Sequence, residues 1–486
     1  MQWVIMTLMF LVTCVCPCVL ADDHYAAKNG QTPQSPYTNW TSAALNIQDA
    51  VNAATTNDTV WVGAGVYTVP PNATNYIGTN VVFINRPLVL RSSNAVPGDV
   101  IIDGQGTNRG VAVYYPYNST NQIVLDGLTI SNCGVISIGG GILFDCPIFS
   151  GLAWTGVVQN CRVLNNRVVY GPGTTNAGFY IAEGAYGGGL GSYNRDAFFG
   201  LIITNSVFRA NVATNAVVDI NVSGGTGGGI YCAAKGKCTI AGCQLQNNRA
   251  YRGGNAYMDR GIYTTIENSE ISGGTAGPVG NQSFGGGIFY ANGSVVYRNC
   301  LMYGNNGPNS RGAAINNETQ WSNTVVELYN CTVVSNFSGG YAIYIRPWAR
   351  AQNFFPSLHL VNSIVYSNNI DLYLAAGGDG PPDNYSSYAT NSCLGSTNSA
   401  SIMFGATNLL YYKGYSSGTI TNDPRFVDFA GNNFRLSRDS PCVNKGFSQP
   451  WMTNAVDLDG AKRLRYYTVD MGAYELIFDG TVYRFR

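Results

Sequence analysis

The chain has 486 residues, of which 59 are Gly and 32 are Tyr, and only 11% are charged. This composition is typical of a turn-rich β protein and excludes a mainly helical or a disordered chain. The 27 basic residues balance the 27 acidic residues. Since the sequence contains no long block of Lys or Arg, we expect no nucleic-acid partner.

The chain begins with an apolar segment, MQWVIMTLMFLVTCVCPCVLA, which ends in small residues. This pattern predicts a signal peptide over residues 1–21, cleaved after Ala21, and therefore a secreted or cell-surface protein. The cysteines at 14, 16 and 18 leave a lipid-modified start as an alternative. Because no later apolar run reaches the roughly 18 to 20 residues of a membrane span, we expect no transmembrane segment.

Residues 22–58 precede the repeats and contain apolar residues at a helical spacing, at Ala44, Ile47, Val51 and Ala54. Strand-like segments follow, namely TVWV, NVVFI, PLVLR and VIIDG. We predict that the helix caps the first coil of a β structure, whose open strand edges would otherwise be exposed.

Two short elements alternate along residues 59–420. A glycine-rich element begins at 139, 187, 227, 253, 285, 311 and 339, and GGGIFY at 285 is typical of it. A second element follows each copy, as in TNSVFRAN at 204 and RNCLMYGN at 298, and LDGLTISN at 125 is an additional copy. Regular columns with variable lengths between them indicate stacked coils with loops of different length.

Aligned copies of the second element share a column of small residues and a column of Asn. The small column contains Gly127, Cys161, Ser206, Cys243, Ser269, Cys300, Cys331 and Ser363. The Asn column contains Asn132, Asn166, Asn211, Asn248, Asn305, Asn336 and Asn368, with Gly274 as the one exception. We predict that the Asn side chains form an internal ladder that satisfies the backbone at the turns.

The runs between these turns have the two-residue period of strands, and each run ends at Asn or Gly. One coil cannot bury enough apolar area to offset its ordering entropy, so the coils must stack. The sequence therefore predicts an all-β fold, a single-stranded right-handed parallel β-helix over residues 59–420. Residues 421–486 are predicted to form a C-terminal coil and capping segment.

GGGIFY and FRAN resemble the repeats of polymorphic outer membrane proteins, and the wider pattern resembles pectate-lyase-like β-helix proteins. NDPRFVDFAGNNFRLSRDSPCVNKG and AVDLDGAKRLRYYTVDMGAYE resemble the closing segment of bacterial choice-of-anchor Q proteins. These resemblances imply a solenoid fold. The segment LIFDGTVYRFR after Glu475 contains no apolar span, so we do not assume that the family's surface anchoring applies.

Cysteine and histidine residues suggest little chemistry. Cys232 and Cys238 bracket the short loop AAKGK, and we predict a disulfide between them. Cys300 and Cys331 are expected to stack on adjacent coils as reduced thiols. With only two His in the chain, we expect neither a His-based triad nor a zinc site, and His359 is predicted to be a packed strand residue.

Charged residues recur six to nine places after the glycine starts, which places them on one ridge of the solenoid. Asp259 and Glu318 would lie two coils apart, roughly 10 Å at the backbone, near the separation of two carboxyl groups that cleave a glycosidic bond. Asp259, Arg260 and Glu318 are therefore the candidate catalytic residues. A lyase of the pectate type would instead bind Ca²⁺ through carboxylates and use Arg or Lys as base. The alternative is a surface charge ladder in which Glu318 pairs with Arg346.

Tyr-rich insertions beside this ridge suit stacking on sugar rings. The candidate ligand-binding residues are Trp348 with its neighbours Arg346 and Arg350, and Arg195 with Asp196. We predict an exported monomer that binds glycans or other surfaces as an adhesion protein, without a firmly implied cofactor. The competing hypothesis is a polysaccharide lyase or glycoside hydrolase that uses the charged ridge.

Overall fold

The computed structural model describes most of the chain. It covers residues 21–71, 74–75, 78–94, 96–114, 121–145, 154–170, 174–176, 179–181, 184–194, 199–214, 225–260, 262–277, 283–307, 310–319, 323–338, 340–347, 356–375, 387–395, 402–405, 412–415, 418–464 and 468–477. Residues 1–20, and with them nearly all of the predicted signal peptide, lie outside the described residues, so export stays a prediction.

The chain winds into a right-handed parallel β-helix, which confirms the predicted fold class. Each complete coil contributes one strand to each of three long sheets, here called sheets I, II and III, and many coils add a short strand to a fourth, sheet IV. Neighbouring strands pair in parallel from coil to coil. The core is the interior of the solenoid, filled by alternating apolar side chains of all three long sheets.

Sheet I contains the strands that follow the glycine elements. Its strands are Thr74–Asn75, Gly78–Ile84, Arg109–Tyr114, Ile142–Asp145, Leu190–Asn194, Ile230–Ala234, Ala256–Asp259, Ile288–Ala291, Ile315–Thr319, Tyr341–Pro347, Ile370–Ala375 and Ile402–Gly405. Sheet II follows sheet I along the chain. Its strands are Asp23–Ala26, Thr59–Val62, Val89–Ser92, Gln122–Asp126, Thr155–Gln159, Gly200–Thr204, Lys237–Ala241, Tyr263–Glu267, Ser294–Arg298, Val325–Tyr329, Ser357–Val361, Ser387–Thr390 and Tyr412–Tyr415.

Sheet III completes most coils. Its strands are Gly65–Tyr67, Val100–Asp103, Thr129–Ser131, Arg162–Leu164, Val207–Arg209, Gln244–Gln246, Glu270–Ser272, Leu301–Tyr303, Thr332–Val334, Ile364–Tyr366 and Cys393–Leu394. Sheet IV consists of Gly134–Ile136, Arg167–Val169, Val212–Thr214, Arg249–Ala250, Thr275–Ala276, Asn306–Gly307 and Phe337–Ser338.

Four smaller pairs lie outside these sheets. Thr174–Asn176 pairs with Phe179–Ile181, Ala185–Tyr186 with Gly225–Thr226, Ser283–Phe284 with Ser310–Arg311, and Phe426–Asp428 with Asn433–Leu436. The chain also forms 3-10 helices at Trp40–Ser42 and Pro450–Asn454.

The predicted N-terminal helix forms at Ile47–Ala53 and caps the stack. Asn46 caps it by accepting a hydrogen bond from the Asp49 amide. The Gln48 side chain accepts from the backbone N–H of Phe83 and donates to its carbonyl, so it satisfies the open edge of sheet I. One strand before the helix, Asp23–Ala26, already belongs to sheet II, which the sequence did not predict.

The Asn ladder is present in the interior of the solenoid. Each amide group donates to the side-chain oxygen of the next residue at 2.9 to 3.1 Å. The rungs are Asn166, Asn211, Asn248, Asn255, Asn305, Asn336 and Asn368. Asn255, from the glycine element GGNAY, fills the rung that Gly274 leaves empty, and donates to Asn305 at 3.0 Å.

The predicted columns are correct except in the copy at 125. Thr129 pairs with Arg162, so Leu128 and Cys133, not Gly127 and Asn132, align with Cys161 and Asn166. Gly127 occupies the left-handed turn position that Asn160 takes in the next coil, with φ of 70° and 53°. Because Gly and Asn both adopt this left-handed turn, the small-residue and Asn columns were each predicted one residue too early in this copy.

The small-residue column is buried, and its cysteines are free thiols, including Cys300 and Cys331 as predicted. Cys232 and Cys238 are also free thiols within the apolar core, so the predicted disulfide is absent from the structure. Burial raises the pKa of Cys232 to about 12, which suppresses the thiolate that disulfide exchange requires.

The C-terminal segment packs along the flank of the last coils. Phe434, Ala473 and Tyr474 cover Leu301 and Val334 on the outer face of sheet III. Turn asparagines of successive coils also donate to carbonyl oxygens of this segment, as Asn299 does to Val456 at 2.8 Å and Asn330 to Asp470 at 3.0 Å. The apolar outer face of these coils explains why the segment docks there.

This segment carries a buried charge cluster. Arg463 donates to Glu475 at 2.8 Å and is itself fully buried, while Asp457 and Asp470 accept backbone N–H groups beside it. Desolvation raises the pKa of Glu475 from its usual value near 4.5 to about 8, although Arg463 opposes this shift, and burial also raises the pKa of Asp470.

We expect docking of this segment to weaken as the pH rises. Because the pKa of Glu475 is higher when the segment is docked, protonation of Glu475 stabilises docking. This contribution is complete below the pKa of the undocked side chain and is lost as the pH rises through about 8. Hydrogen exchange of the described amides between 443 and 477, corrected for intrinsic rates, should show lower protection at about pH 9 than at about pH 5. Glu475→Gln should remove most of this dependence; equal protection at both pH values in the unchanged chain would contradict the prediction.

Candidate functional site

The outer face of sheet I brings three of the predicted site residues together. In the register of this sheet, Asp259 pairs with Ala291, Ala291 with Glu318, and Glu318 with Arg346. Asp259 and Glu318 therefore lie two coils apart, roughly 10 Å at the backbone, as predicted. Arg260 lies in the turn after this strand with φ of 67°, and its amide donates to the Asp259 side chain at 2.7 Å.

Glu318 is the anchor of an arginine pair. Its Oε1 accepts from Nε of Arg346 at 3.0 Å and lies 3.6 Å from Nη1 of Arg311. The Glu318 side chain is 0% exposed, whereas those of Arg346 and Arg311 are 20% and 25% exposed. The predicted pairing of Glu318 with Arg346 is thus present, and the buried carboxylate holds two guanidinium groups near the surface.

The second carboxylate oxygen, Oε2 of Glu318, is buried and has no hydrogen-bond partner among the residues that the structure describes. The same is true, within the described part of the chain, of Oδ1 of Asn316 on the same strand. A buried acceptor without a partner is costly, so these two oxygen atoms destabilise the strand that holds the arginine pair.

Aromatic rings flank this strand on both sides along the solenoid. Tyr344 stacks on Tyr373 with ring centroids 4.6 Å apart and an interplanar angle of 8°. On the other side, Tyr257 stacks on Phe289 at 4.9 Å and 7°. Asn316 occupies the position between Phe289 and Tyr344, so the aromatic column is interrupted at the coil of Glu318.

The arginines also contact these rings. The guanidinium carbons of Arg346 and Arg311 lie 5.6 and 5.8 Å from the Tyr344 ring centroid, within cation–π range. On the other stack, burial raises the pKa of Tyr257 well above its usual value, with Asp259 and Glu318 adding to the shift and Arg252 opposing it.

The sequence did not predict Arg252 or Arg311 as site residues, and for Arg311 the reason is a one-residue shift. Arg252, Phe284 and Arg311 form one column immediately before the glycine pair of each coil. RGAAI at 311 was aligned as a glycine start, whereas Gly312, with φ of 72°, occupies the place of Gly285. The left-handed turn that only glycine adopts readily could have corrected the alignment.

The structure does not describe the other predicted ligand-binding residues. Arg195, Asp196, Trp348 and Arg350 lie outside the described residues. In the described part of the chain, no group of three or more His, Cys, Asp or Glu side chains is arranged to hold a metal ion. No helix among the described residues has the length and apolar character needed to cross a membrane.

The sequence matches no protein-family model and no curated protein, so the choice-of-anchor Q resemblance finds no support. Among solved structures, the pectate lyase Pel9A is 14% identical, with a TM-score of 0.52 over 93% of this chain and 96% of that chain. A rhamnogalacturonan lyase is 12% identical over 86% and 95% of the two chains, with a TM-score of 0.29. The first match establishes the pectate-lyase-like β-helix fold, and the second superposes too poorly to add to it.

Proposed function

We propose that this protein degrades an acidic polysaccharide bound along the outer face of sheet I. The observation that carries this proposal is the pair of part-exposed guanidinium groups, Arg311 and Arg346, that the buried Glu318 holds beside a tyrosine stack. Guanidinium groups bind carboxylates and sulfates through several hydrogen bonds, and aromatic rings stack on sugar faces.

Each residue then has a defined role. Arg311 and Arg346 bind the acidic group of one sugar, and Glu318 is a positioning residue that orients both. Tyr373 and Tyr341, which are part-exposed and 4.6 Å apart, support an adjacent sugar ring. Asp259, half-buried and two strands from Glu318, is the carboxyl group placed to exchange a proton with the glycosidic linkage. The fold shared with the pectate lyase Pel9A supports polysaccharide as the substrate class.

The test uses the purified full chain with a polygalacturonate and a neutral galactan. Three quantities are followed: retention on the polymer, new reducing ends, and the ultraviolet absorbance of unsaturated ends. We expect retention and turnover on polygalacturonate, with turnover lost in Asp259→Asn while retention persists. Unsaturated ends identify an elimination, and reducing ends alone identify hydrolysis.

Two outcomes would overturn the proposal. Retention without turnover would return the protein to the binding or adhesion class that its sequence first suggested. Equal action on the neutral galactan would remove the role of the arginine pair. Asp428→Asn, an exposed carboxylate in the C-terminal hairpin, is the matched control and should leave turnover unchanged.

A further inference from the structure

A second surface rich in rings lies on the outer face of sheet II, on a different side of the solenoid from Glu318. Glu327, His359 and Tyr388 occupy one outward column on three successive coils, and Arg298 and Tyr329 occupy the neighbouring column. Trp451, from the C-terminal segment, joins them. We call these six residues the sheet II strip.

The strip is preorganised by contacts among its own members. The Tyr329 hydroxyl donates to Glu327 at 2.9 Å, and Nδ1 of His359 lies 3.3 Å from the same carboxylate oxygen. The His359 ring stacks on Tyr388 at 4.4 Å and 17°. Held rings lose little conformational entropy when a ligand binds.

The C-terminal segment completes the strip with an aromatic ring. Arg298 lies 6.0 Å from the Tyr329 ring centroid and 5.6 Å from that of Trp451, and the two rings are 6.5 Å apart. Trp451 is part-exposed. From Arg298 to Tyr388 the strip crosses four neighbouring strands, roughly 14 Å, which is the length of a few sugar rings.

Each charged group of the strip has a polar partner, in one case a residue outside the strip. Arg298 pairs with Glu267 at 2.5 Å, and hydrogen bonding from His359 and Tyr329 lowers the pKa of Glu327 despite its partial burial. No guanidinium of the strip is left in excess, in contrast to the Arg311 and Arg346 pair around Glu318. Rings with paired polar groups suit a ligand that offers hydroxyls and flat apolar faces but no charge.

We propose that the sheet II strip is a binding site for a neutral glycan, separate from the acidic-polysaccharide face of sheet I. Sugar rings stack on Tyr388 and Trp451, and the carboxylate of Glu327 and the guanidinium of Arg298 hydrogen-bond to hydroxyls. The site attaches the protein to a neutral polymer while sheet I acts on an acidic one.

The test measures binding of cellohexaose, xylohexaose and mannohexaose to the full chain by calorimetry. At least one should bind, and the variant Trp451→Ala with Tyr388→Ala should weaken that binding at least tenfold, which corresponds to about 1.4 kcal/mol. Phe337→Ala, which removes an exposed ring elsewhere on the surface, is the matched control and should not change it. Turnover of polygalacturonate should be the same in all three proteins.

The proposal is overturned if none of the three hexaoses binds the unchanged chain, or if the double variant binds as tightly as the unchanged chain. His359→Gln gives an independent check, since it keeps a hydrogen-bonding side chain beside Glu327 but removes the ring stacked on Tyr388. It should weaken the same hexaose without lowering the melting temperature. Because binding of a neutral hexaose requires no turnover, failure of this proposal and failure of the proposed enzyme activity give different results.

Discussion

Asn255→Gly is expected to lower the free energy of unfolding by about 3 kcal/mol, and Gly274→Asn in the same chain is expected to restore part of it. Asn255 accepts from Asn248 at 2.9 Å and donates to Asn305 at 3.0 Å. Its removal leaves the buried amide of Asn248 without its acceptor and opens a gap in the ladder.

Gly274→Asn alone should also destabilise, because a Cβ at 274 would clash with the backbone carbonyl oxygen of Gly286 and lie 2.5 Å from Nδ2 of Asn255. In the other coils the rung comes from the second element and the glycine element keeps a small residue, as with Asn248 and Gly229. The double variant Asn255→Gly with Gly274→Asn returns the rung to the second element and removes the clash with Asn255, but the backbone at Gly286 must still shift. We expect the double variant to be more stable than Asn255→Gly and less stable than the unchanged chain.

Denaturant unfolding followed by circular dichroism gives the unfolding midpoint of each variant, from which the differences in the free energy of unfolding are calculated. Asn432→Gly is the matched control: Asn432 is an exposed residue with φ of 61°, so glycine there should cost little. Additive losses in the double variant would show that the two positions do not share one rung.

Arg346→Gln is expected to lower the free energy of unfolding by about 2 to 4 kcal/mol, because it removes the nearer partner of a fully buried carboxylate. Arg311, 3.6 Å from Glu318, limits the loss. Adding Glu318→Gln should restore stability, since two neutral amides can hydrogen-bond to each other without a buried charge. It should not restore binding to polygalacturonate, which we expect to fall roughly tenfold to a hundredfold in both variants.

Stability is measured by denaturant unfolding and binding by retention on immobilised polygalacturonate. Arg425→Gln is the matched control, because the side chains of its ion pair with Asp439 are 55% and 69% exposed, and an exposed pair contributes little to stability. If the double variant recovers binding together with stability, the arginine pair has a structural role only, and the proposed acidic subsite is wrong.

Much of the interior could be read from the sequence because it repeats. The columns of Asn and of small residues recur from coil to coil, so copies such as RNCLMYGN and YNCTVVSN reinforce one another. Errors arose where one copy departs from the pattern. Gly127 was placed one position out because Gly and Asn both adopt left-handed turns. Arg311 was placed one position out because it precedes the turn glycine Gly312, and Asn255 was not recognised as the missing rung because it belongs to the glycine element and not to the second element.

The candidate site was only partly predictable. Asp259, Glu318 and Arg346 follow the repeat and were placed on one face. Arg252 and Arg311 come from the corner before the glycine pair, and their approach to that face depends on how the corner folds over sheet I. Trp451 is more than 100 residues from Tyr329 in sequence, so no local pattern could place the two rings side by side.

The sequence alone determined the solenoid: its repeat period, its inward columns, its capping helix and its internal Asn ladder, because each coil meets the same packing requirement as the next. Only the tertiary structure decided which outward side chains meet. Strand register set the Asp259 and Glu318 spacing, burial made Glu318 an anchor for two arginines, and docking of the C-terminal segment brought Trp451 to sheet II. Outward residues are free of the repeated packing constraint, so their arrangement is fixed by register and by contacts between distant segments.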